Sequence, residues 1–211
     1  MGAPTPARVI ASSESRMLAV VCAFLAIGTS ASPYWARAFV TSRLLMDRSD
    51  LRPGEVAVAL PETFDAQLYF IGRIRTPWIR REDCPKNARE SPSVCALEVD
   101  ERWAPALADV ETCSHLWVLY WMDQARRDLV IQAPRHYETA RGTFSLRSPV
   151  RPNPIAASVV RLIKRQDRTL SVIGLDCRDG TPLLDIKPYY ASLDAEPAAV
   201  VGHTGGRADQ L

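Results

Sequence analysis

Short runs of apolar residues, several of them alternating with polar ones, fill the chain from residue 67 onward. This spacing is typical of β-strands, and Gly, Pro and Asp separate the runs as turn residues do. Helix signals are weak, and Trp103–Val110 is predicted to form only a turn or two. The predicted strands are Gln67–Arg75, Val94–Val99, His115–Met122, Gly142–Leu146, Ala157–Ile163, Thr169–Leu175 and Leu183–Ile186.

These elements predict a mainly-β protein, a small closed or partly closed β-barrel with short helical turns. The run His115–Met122 is apolar almost throughout, so we expect it to be buried on both faces, with His115 as a hydrogen-bonded core residue. No GxGxxG follows a strand, no GxxxxGK[ST] is present, and strands do not alternate with long helices. The fold is therefore predicted to be non-Rossmann and not a P-loop protein.

The first part of the chain follows a different pattern. Leu18–Gly28 is apolar, Arg16 precedes it and small residues follow, which is the layout of a secretory signal peptide. The run is too short to span a bilayer comfortably, so we expect no stable membrane association. Alternatively, Met46 is the true start of a cytoplasmic domain and the upstream residues are an over-extended gene prediction. We favour this second hypothesis.

Three segments result from these patterns. Residues 1–66 are an N-terminal extension, signal-like or over-extended and poorly ordered, and residues 67–194 form the β-barrel domain. Residues 195–211, small and Gly-containing, are predicted to be a flexible tail.

Charge is unevenly distributed along the chain. The 211 residues carry a formal net charge of only +2, which excludes a uniform polycation. Residues 126–168, however, hold ten basic and three acidic residues, a net charge of +7, with His136, Tyr137 and Phe144 among them. Basic side chains interleaved with aromatic ones suit unpaired nucleic acid. The same stretch could be an ordinary solvated face.

The five cysteines form no CxxC pair, and we expect no metal site.

The loop RSPVRPNP, residues 147–154, lies within this basic stretch. Its three prolines fix the backbone and remove donors, so Arg147 and Arg151 project from a stiff segment. Such arginines can bind an anion. They could instead pair with carboxylates such as Asp179 or Asp185.

A second motif, DGTPLLDIKPY, spans Asp179–Tyr189. The Asp-Gly pair predicts a turn, and Asp185, Lys187 and Tyr189 alternate, so they share one side of the following strand. A carboxylate, an ammonium and a phenol on one side can form an acid–base cluster. They could equally be a structural salt bridge beside a capping tyrosine.

The two motifs together resemble one family. RSPVRPNPIAAS followed by GLDCRDGTPLLDIKPY is similar to the TsaA-like (VirR/YaeB, TrmO-type) tRNA methyltransferases. The same family has IGxIRTP, here Ile71–Pro77, and SHLW, here Ser114–Trp117. The four motifs occur in family order over residues 67–194.

This resemblance implies an activity. Members are small β-barrel enzymes, usually homodimers, that bind S-adenosylmethionine and methylate N6 of threonylcarbamoyl-adenosine beside the anticodon of a threonine tRNA. The implied partner is the anticodon stem-loop and the implied location is the cytoplasm, in conflict with the signal-like N-terminus. Compared with longer bacterial relatives, we expect this chain to be without their extra C-terminal domain.

The resemblance also implies site residues. The cofactor contacts are expected at Ala88, Arg89, Glu90, Asp123, Gln124, Arg147, Ala157, Asp179, Gly180, Thr181 and Pro182. Residues 88–90 belong to the loop that departs most from the family pattern, which often reads PRQxGL. The predicted RNA contacts are Arg126, Arg127, Arg135 and Arg151. N6 must lose a proton during attack, and the candidate acceptors are Asp179, Asp185 and Tyr189.

Two other classes of function compete with this interpretation. A non-catalytic RNA-binding β-barrel of the same fold would bind tRNA without retaining the cofactor. An exported protein would be found in the periplasm with residues 1–31 removed.

Overall fold

A computed structural model describes residues 50–88 and 91–202 of the chain. Six antiparallel strands form a barrel: β2 Gly72–Arg75, β3 Val94–Val99, β4 His115–Trp121, β7 Ile155–Gln166, β8 Thr169–Ile173 and β9 Pro182–Pro188. The barrel closes in the order β2-β3-β8-β7-β4-β9. The predicted mainly-β barrel is confirmed.

The barrel interior holds the core. Inward-pointing side chains from every strand fill it, and their burial supplies the main stabilising free energy. Each of the six strands contributes at least one side chain with no exposed area. One from each strand is Ile74, Leu97, Val118, Val160, Val172 and Leu183.

Close backbone approach fixes where β2 meets β3. Gly72 pairs with Val99, and a Cβ at Gly72 would lie 2.0 Å from the carbonyl oxygen of Glu98. No other residue type fits there without moving the backbone. The glycine therefore sets the register of the first barrel strand.

A second, smaller sheet lies in the order β1-β5-β6. Its strands are β1 Val56–Ala57, β5 Leu129–Gln132 and β6 Arg141–Gly142. Two polar side chains are buried beside it, because the Gln132 amide donates to Thr143 Oγ1 at 2.9 Å and to the Val150 carbonyl at 2.7 Å. This pair ties the sheet to the 147–154 loop.

Several predicted boundaries are wrong. The strand predicted over Gln67–Arg75 begins only at Gly72. Most of the strand predicted over Gly142–Leu146 is a 3-10 helix, Thr143–Ser145. The turn-like helix expected near Trp103 is a 3-10 helix over Glu101–Leu107, followed by a second one over Val110–Thr112.

The strand β4 is not buried on both faces. Leu116, Val118 and Tyr120 are at most 3% exposed, whereas the residues between them are only partly covered. His115 is exposed and is therefore not the core residue that we expected. A closed barrel has one inner and one outer face, and apolar side chains on the outer face pack against loops and neighbouring strands.

The segment boundaries also change. Val56–Ala57, within the predicted extension, pairs with β5, so part of residues 50–66 belongs to the second sheet. The strand β9 is followed by a single helical turn, α1, Ala191–Asp194. Residues 1–49 and 203–211 lie outside the described part of the chain, and with them the whole predicted signal-like segment and the last nine residues of the predicted tail. In the described part, no helix has the length and apolarity needed to cross a membrane.

Candidate functional site

The turn Asp179–Pro182 lies at one end of the barrel, where the chain enters β9. Gly180 has φ +78°, a left-handed conformation that glycine adopts without strain. The carboxylate of Asp179 accepts from the Thr76 amide at 3.1 Å and lies 3.6 Å from an Arg75 nitrogen. The Thr181 hydroxyl donates to the Arg178 carbonyl at 2.7 Å. The turn is thus fixed by hydrogen bonds to the end of β2 and within the turn itself, and the Asp179 carboxylate makes one of them.

The loop after β4 meets this turn. Asp123 and Gln124 are exposed, and the Gln124 side-chain oxygen accepts a hydrogen bond from the Arg178 guanidinium. Arg178 directly precedes Asp179. The structure therefore brings together two sets of predicted cofactor residues that lie more than fifty positions apart in sequence.

Two further predicted cofactor residues, Arg147 and Ala157, lie in the loop before β7 and on β7. Arg147 is exposed, and its guanidinium donates to the carbonyl of Ala157 at 3.2 Å. No other hydrogen bond or ion pair of this guanidinium is found among residues 50–88 and 91–202. Its remaining N–H groups can therefore bind an anion. It does not pair with Asp179 or Asp185.

The buried hydroxyl of Tyr120, which the sequence analysis did not identify, connects β7 with the segment before the 179–182 turn. The Tyr120 hydroxyl lies 3.0 Å from Ser158 Oγ and 3.0 Å from Asp176 Oδ1. Burial raises the pKa of Tyr120 well above its usual range, so it is a neutral donor. Ser158 follows Ala157 on β7, and Asp176 precedes the 179–182 turn. The signal that could have revealed it is Ser158 among the apolar residues of β7.

Asp176 is partly exposed at this barrel end. Its Oδ2 makes no hydrogen bond or ion pair within the described residues. Burial raises the pKa of the nearby Cys84 thiol, and the negative charge of Asp176 raises it further. The loop around Cys84 therefore lies within electrostatic reach of Asp176. Three loops, those around Cys84, Gln124 and Asp176, converge here.

The loop after β2 is only partly described. Ala88 is half-buried at the end of its described portion. Arg89 and Glu90, the other cofactor contacts expected there, lie outside the described residues. All three stay predictions.

The second half of the DGTPLLDIKPY motif lies elsewhere, on the outer face of β9. Asp185 pairs with Lys187 at 2.6 Å and accepts from the Ile186 amide at 2.9 Å. The Tyr189 ring packs beside His115 and Trp117, at centroid distances of 6.5 and 6.0 Å. This arrangement is the structural salt bridge beside a packed tyrosine that the sequence analysis gave as one of two interpretations. It does not exclude acid–base work, since Asp185 is 43% exposed.

Three of the four predicted RNA-contacting arginines have partners within the protein. Arg126 pairs with Asp128 at 2.8 Å, and Arg151 donates to the carbonyls of Leu146 and Ser148. Arg127 donates to the Pro152 carbonyl at 2.6 Å.

The guanidinium of Arg127 also lies 5.4 Å from the Trp121 ring centroid. Arg135 is exposed, and within the described residues it has no ion pair or hydrogen bond. RNA contact stays a prediction for all four arginines.

No group of three or more His, Cys, Asp or Glu in residues 50–88 and 91–202 is arranged to hold a metal ion. The polar groups left available for a ligand include the remaining N–H groups of Arg147, the Oδ2 of Asp176 and backbone groups of the 179–182 turn. This donor set fits a ligand that carries a carboxylate at one end and an amine or hydroxyls at the other.

Comparison with known proteins gives a family and a set of relatives. The family model of the tRNA-methyltransferase O N-terminal domain matches residues 73–195. The probable S-adenosyl-L-methionine-binding protein VirR of Rhizobium radiobacter is 49% identical over 153 residues, which are 72% of this chain and 87% of VirR. A putative S-adenosylmethionine-dependent methyltransferase, RcsF of Pseudomonas aeruginosa, is 33% identical over 138 residues, 61% of this chain and 57% of RcsF.

Solved structures agree with the family match. The crystal structure of TrmO from Pseudomonas aeruginosa superposes with a TM-score of 0.56 at 32% identity. The match covers 66% of this chain and 62% of the TrmO chain, so the present chain spans about three fifths of that protein. The barrel fold is therefore shared with a solved structure.

Proposed function

The chain belongs to the family of the tRNA-methyltransferase O N-terminal domain, and from that membership we propose that it is an S-adenosylmethionine-dependent methyltransferase acting on tRNA. The finer proposal is methylation of N6 of threonylcarbamoyl-adenosine beside the anticodon of a threonine tRNA. The structural observation that supports cofactor binding is the hydrogen bond between Arg178 and Gln124, which joins the loop after β4 to the 179–182 turn. Both segments are those where the family resemblance places the cofactor.

The cofactor fits the donor set at this barrel end. Arg147 would bind the carboxylate of its amino-acid part, and Asp176 would accept from its amine or ribose hydroxyls. The backbone of Gly180 would lie against it, because the space where a Cβ would stand is open. S-adenosylmethionine supplies an electrophilic methyl group when bound.

The protein has two tasks in such a reaction. It aligns the nucleophilic nitrogen with the methyl group and excludes water, which the converging loops can do. It also accepts the proton of N6. Of the three candidate acceptors, Asp179 is engaged by Thr76 and Arg75. Asp185 also has internal partners, Lys187 and the Ile186 amide, but its carboxylate is 43% exposed, and we assign the proton to it. Tyr189, just past β9, is the second candidate and would have to act as a phenolate.

Three further expectations belong to this proposal. The enzyme acts as a homodimer, as family members usually do. It works in the cytoplasm, where tRNA is modified. Its RNA contacts include Arg135, whose exposed guanidinium can bind a phosphate.

One experiment tests the proposed reaction. The purified full chain would be incubated with radiolabelled S-adenosylmethionine and tRNA from a strain that lacks the gene, and the nucleosides would be analysed by mass spectrometry. We expect N6-methylated threonylcarbamoyl-adenosine to appear. tRNA without the threonylcarbamoyl group is the control and should stay unmethylated. Retention of labelled cofactor without any methylated nucleoside would contradict the proposal.

A further inference from the structure

The outer face of the barrel at β4 carries a row of aromatic rings. His115 and Trp117 are two positions apart on β4 and point outward. Tyr189, just past β9, packs against both rings, at centroid distances of 6.5 and 6.0 Å. Its backbone amide donates to the His115 carbonyl at 3.1 Å, so the β4–β9 pairing continues to this point. The rings are thus fixed by paired backbone.

Cations flank these rings on both sides. In the β4–β7 ladder Arg161 is directly opposite His115, and in the β4–β9 ladder Lys187 is directly opposite Trp117. Residues directly opposite each other in an antiparallel pair project on the same face, with Cβ atoms about 5 Å apart. We call the five residues His115, Trp117, Arg161, Lys187 and Tyr189 the aromatic–basic face.

The charges on this face are available to a ligand. Arg161 is exposed and makes no ion pair or hydrogen bond with any residue that the structure describes. Lys187 is 60% exposed and pairs only with Asp185 in that same part of the chain. An ammonium has three donors, so it can bind a second acceptor. Lys164 is also exposed, further along β7.

We propose that the aromatic–basic face binds the unpaired bases and phosphates of the RNA substrate. Unpaired bases stack on aromatic side chains, while Arg and Lys beside the rings bind phosphates. A sheet surface with rings in its centre and cations at its sides provides both contacts. The inference rests on the proposed function, since it assigns a surface to the tRNA that this enzyme would methylate.

A second copy of the chain fits this face less well. The buried centre of a protein–protein interface is depleted in charged residues, and lysine is among those that are rare there. Here a guanidinium and an ammonium lie next to the rings. The arrangement also agrees with the assignment of the proton acceptor, because Asp185 and Tyr189 would then lie beside the bound base.

The test measures RNA and cofactor binding separately, with the full chain. The RNA probe is a fluorescent anticodon stem-loop whose anisotropy is followed from 50 to 200 mM salt. Tyr189→Ala should weaken RNA binding by about 10-fold, since it removes a stacking ring. Tyr189→Phe keeps the ring and should bind RNA as wild type does. Both variants should bind S-adenosylmethionine with unchanged affinity in calorimetry.

Arg161→Ala should lower the slope of log affinity against log salt by about 0.7, as for one lost phosphate contact on a single strand. The matched control is Arg102→Ala, because Arg102 is exposed on the 3-10 helix that follows β3, the strand opposite β4 in the barrel.

Three results would overturn the inference. If wild type binds the stem-loop and all of these variants bind it equally, the surface is wrong while the proposed function stands. If sedimentation shows a wild-type dimer and a Tyr189→Ala monomer, the face is an interface between copies. If wild type binds the cofactor but no RNA, both this inference and the tRNA substrate fail.

Discussion

The phenol oxygen of Tyr120 lies 3.0 Å from Oδ1 of Asp176, so β4 is hydrogen-bonded to the loop that precedes the 179–182 turn. Tyr120 is 3% exposed and also contacts Ser158 on β7. The Tyr120 hydroxyl therefore connects β4, β7 and the segment before the 179–182 turn, all of which lie next to or contain predicted cofactor residues. Because these segments are far apart in sequence, their alignment depends on such contacts.

Removing this hydroxyl should have two effects. Tyr120→Phe leaves a buried serine and a carboxylate without their partner, so the free energy of unfolding should fall by about 1–3 kcal/mol in urea titrations. Affinity for S-adenosylmethionine should fall as well. In a Ser158→Ala background, Tyr120→Phe should lower the free energy of unfolding by a smaller amount, because the hydrogen bond between Tyr120 and Ser158 is already absent there. An equal loss of stability in the wild-type and Ser158→Ala backgrounds would show that the Tyr120–Ser158 contact contributes nothing to stability.

The free thiols of the core predict a response to alkaline pH. Burial raises the pKa of Cys95 to about 11 and, as the largest of several causes, that of Cys177 to about 12, from 9.0. A raised pKa means that the folded state keeps protons that the unfolded state releases, so this stability is present below pH 9 and is lost as pH rises towards 11–12. Urea titrations from pH 8 to 11 should show the decline, and it should be smaller in Cys95→Ala. An identical pH dependence in that variant would count against this cause.

Arg147 should determine cofactor affinity. Arg147→Ala removes the guanidinium that lies beside Ala157 of β7. Calorimetry should then show a loss of about tenfold or more in affinity for S-adenosylmethionine. Arg147→Lys keeps the charge but not the planar fork, so its affinity should be intermediate. Unchanged affinity in the alanine variant would remove Arg147 from the site.

Gln132 should stabilise the 147–154 loop. Its amide is 3% exposed and donates both to Thr143 and to the Val150 carbonyl, so Gln132→Leu removes two buried hydrogen bonds at once. The free energy of unfolding should fall by about 1–3 kcal/mol. The control is Thr143→Ser, which keeps the hydroxyl. If calorimetry of the leucine variant shows normal cofactor affinity, the loop does not need this anchor.

The arginines of the basic stretch should separate into two groups. Arg135→Ala should lower the salt slope of tRNA binding by about 0.7, since its exposed guanidinium is free to bind a phosphate. Arg126→Ala should leave that slope unchanged and lower the free energy of unfolding, because it takes the guanidinium away from Asp128, which is 5% exposed. A reduced slope in Arg126→Ala would mean that the ion pair opens when RNA binds.

The sequence predicts strands best where the apolar period is clear. Val94–Val99 is found with the predicted bounds, because its side chains alternate between the core and the solvent. The second sheet could not be predicted in this way. Two of its strands have only two residues each, too short for any period to show.

The site could be predicted only in part, and for a physical reason. The motifs mark the chain positions, but the contacts join residues that are distant in sequence, such as Thr76 and Asp179, which are 103 positions apart. The same holds for Tyr120 and Asp176, 56 positions apart. Which polar groups face each other depends on how the barrel closes, and this depends on the register of every strand.

Barrel closure also restricts how copies of this protein can associate. Each of the six barrel strands has a hydrogen-bonded neighbour on both sides, and the outer strands of the second sheet, Val56–Ala57 and Arg141–Gly142, are two residues long. Within residues 50–88 and 91–202, an incoming chain therefore finds few open strand edges to extend, which protects against edge-to-edge aggregation and strand exchange. A homodimer that forms through the paired strands of the described barrel is accordingly expected to use side-chain contacts and loops, and not a sheet that runs continuously through two subunits.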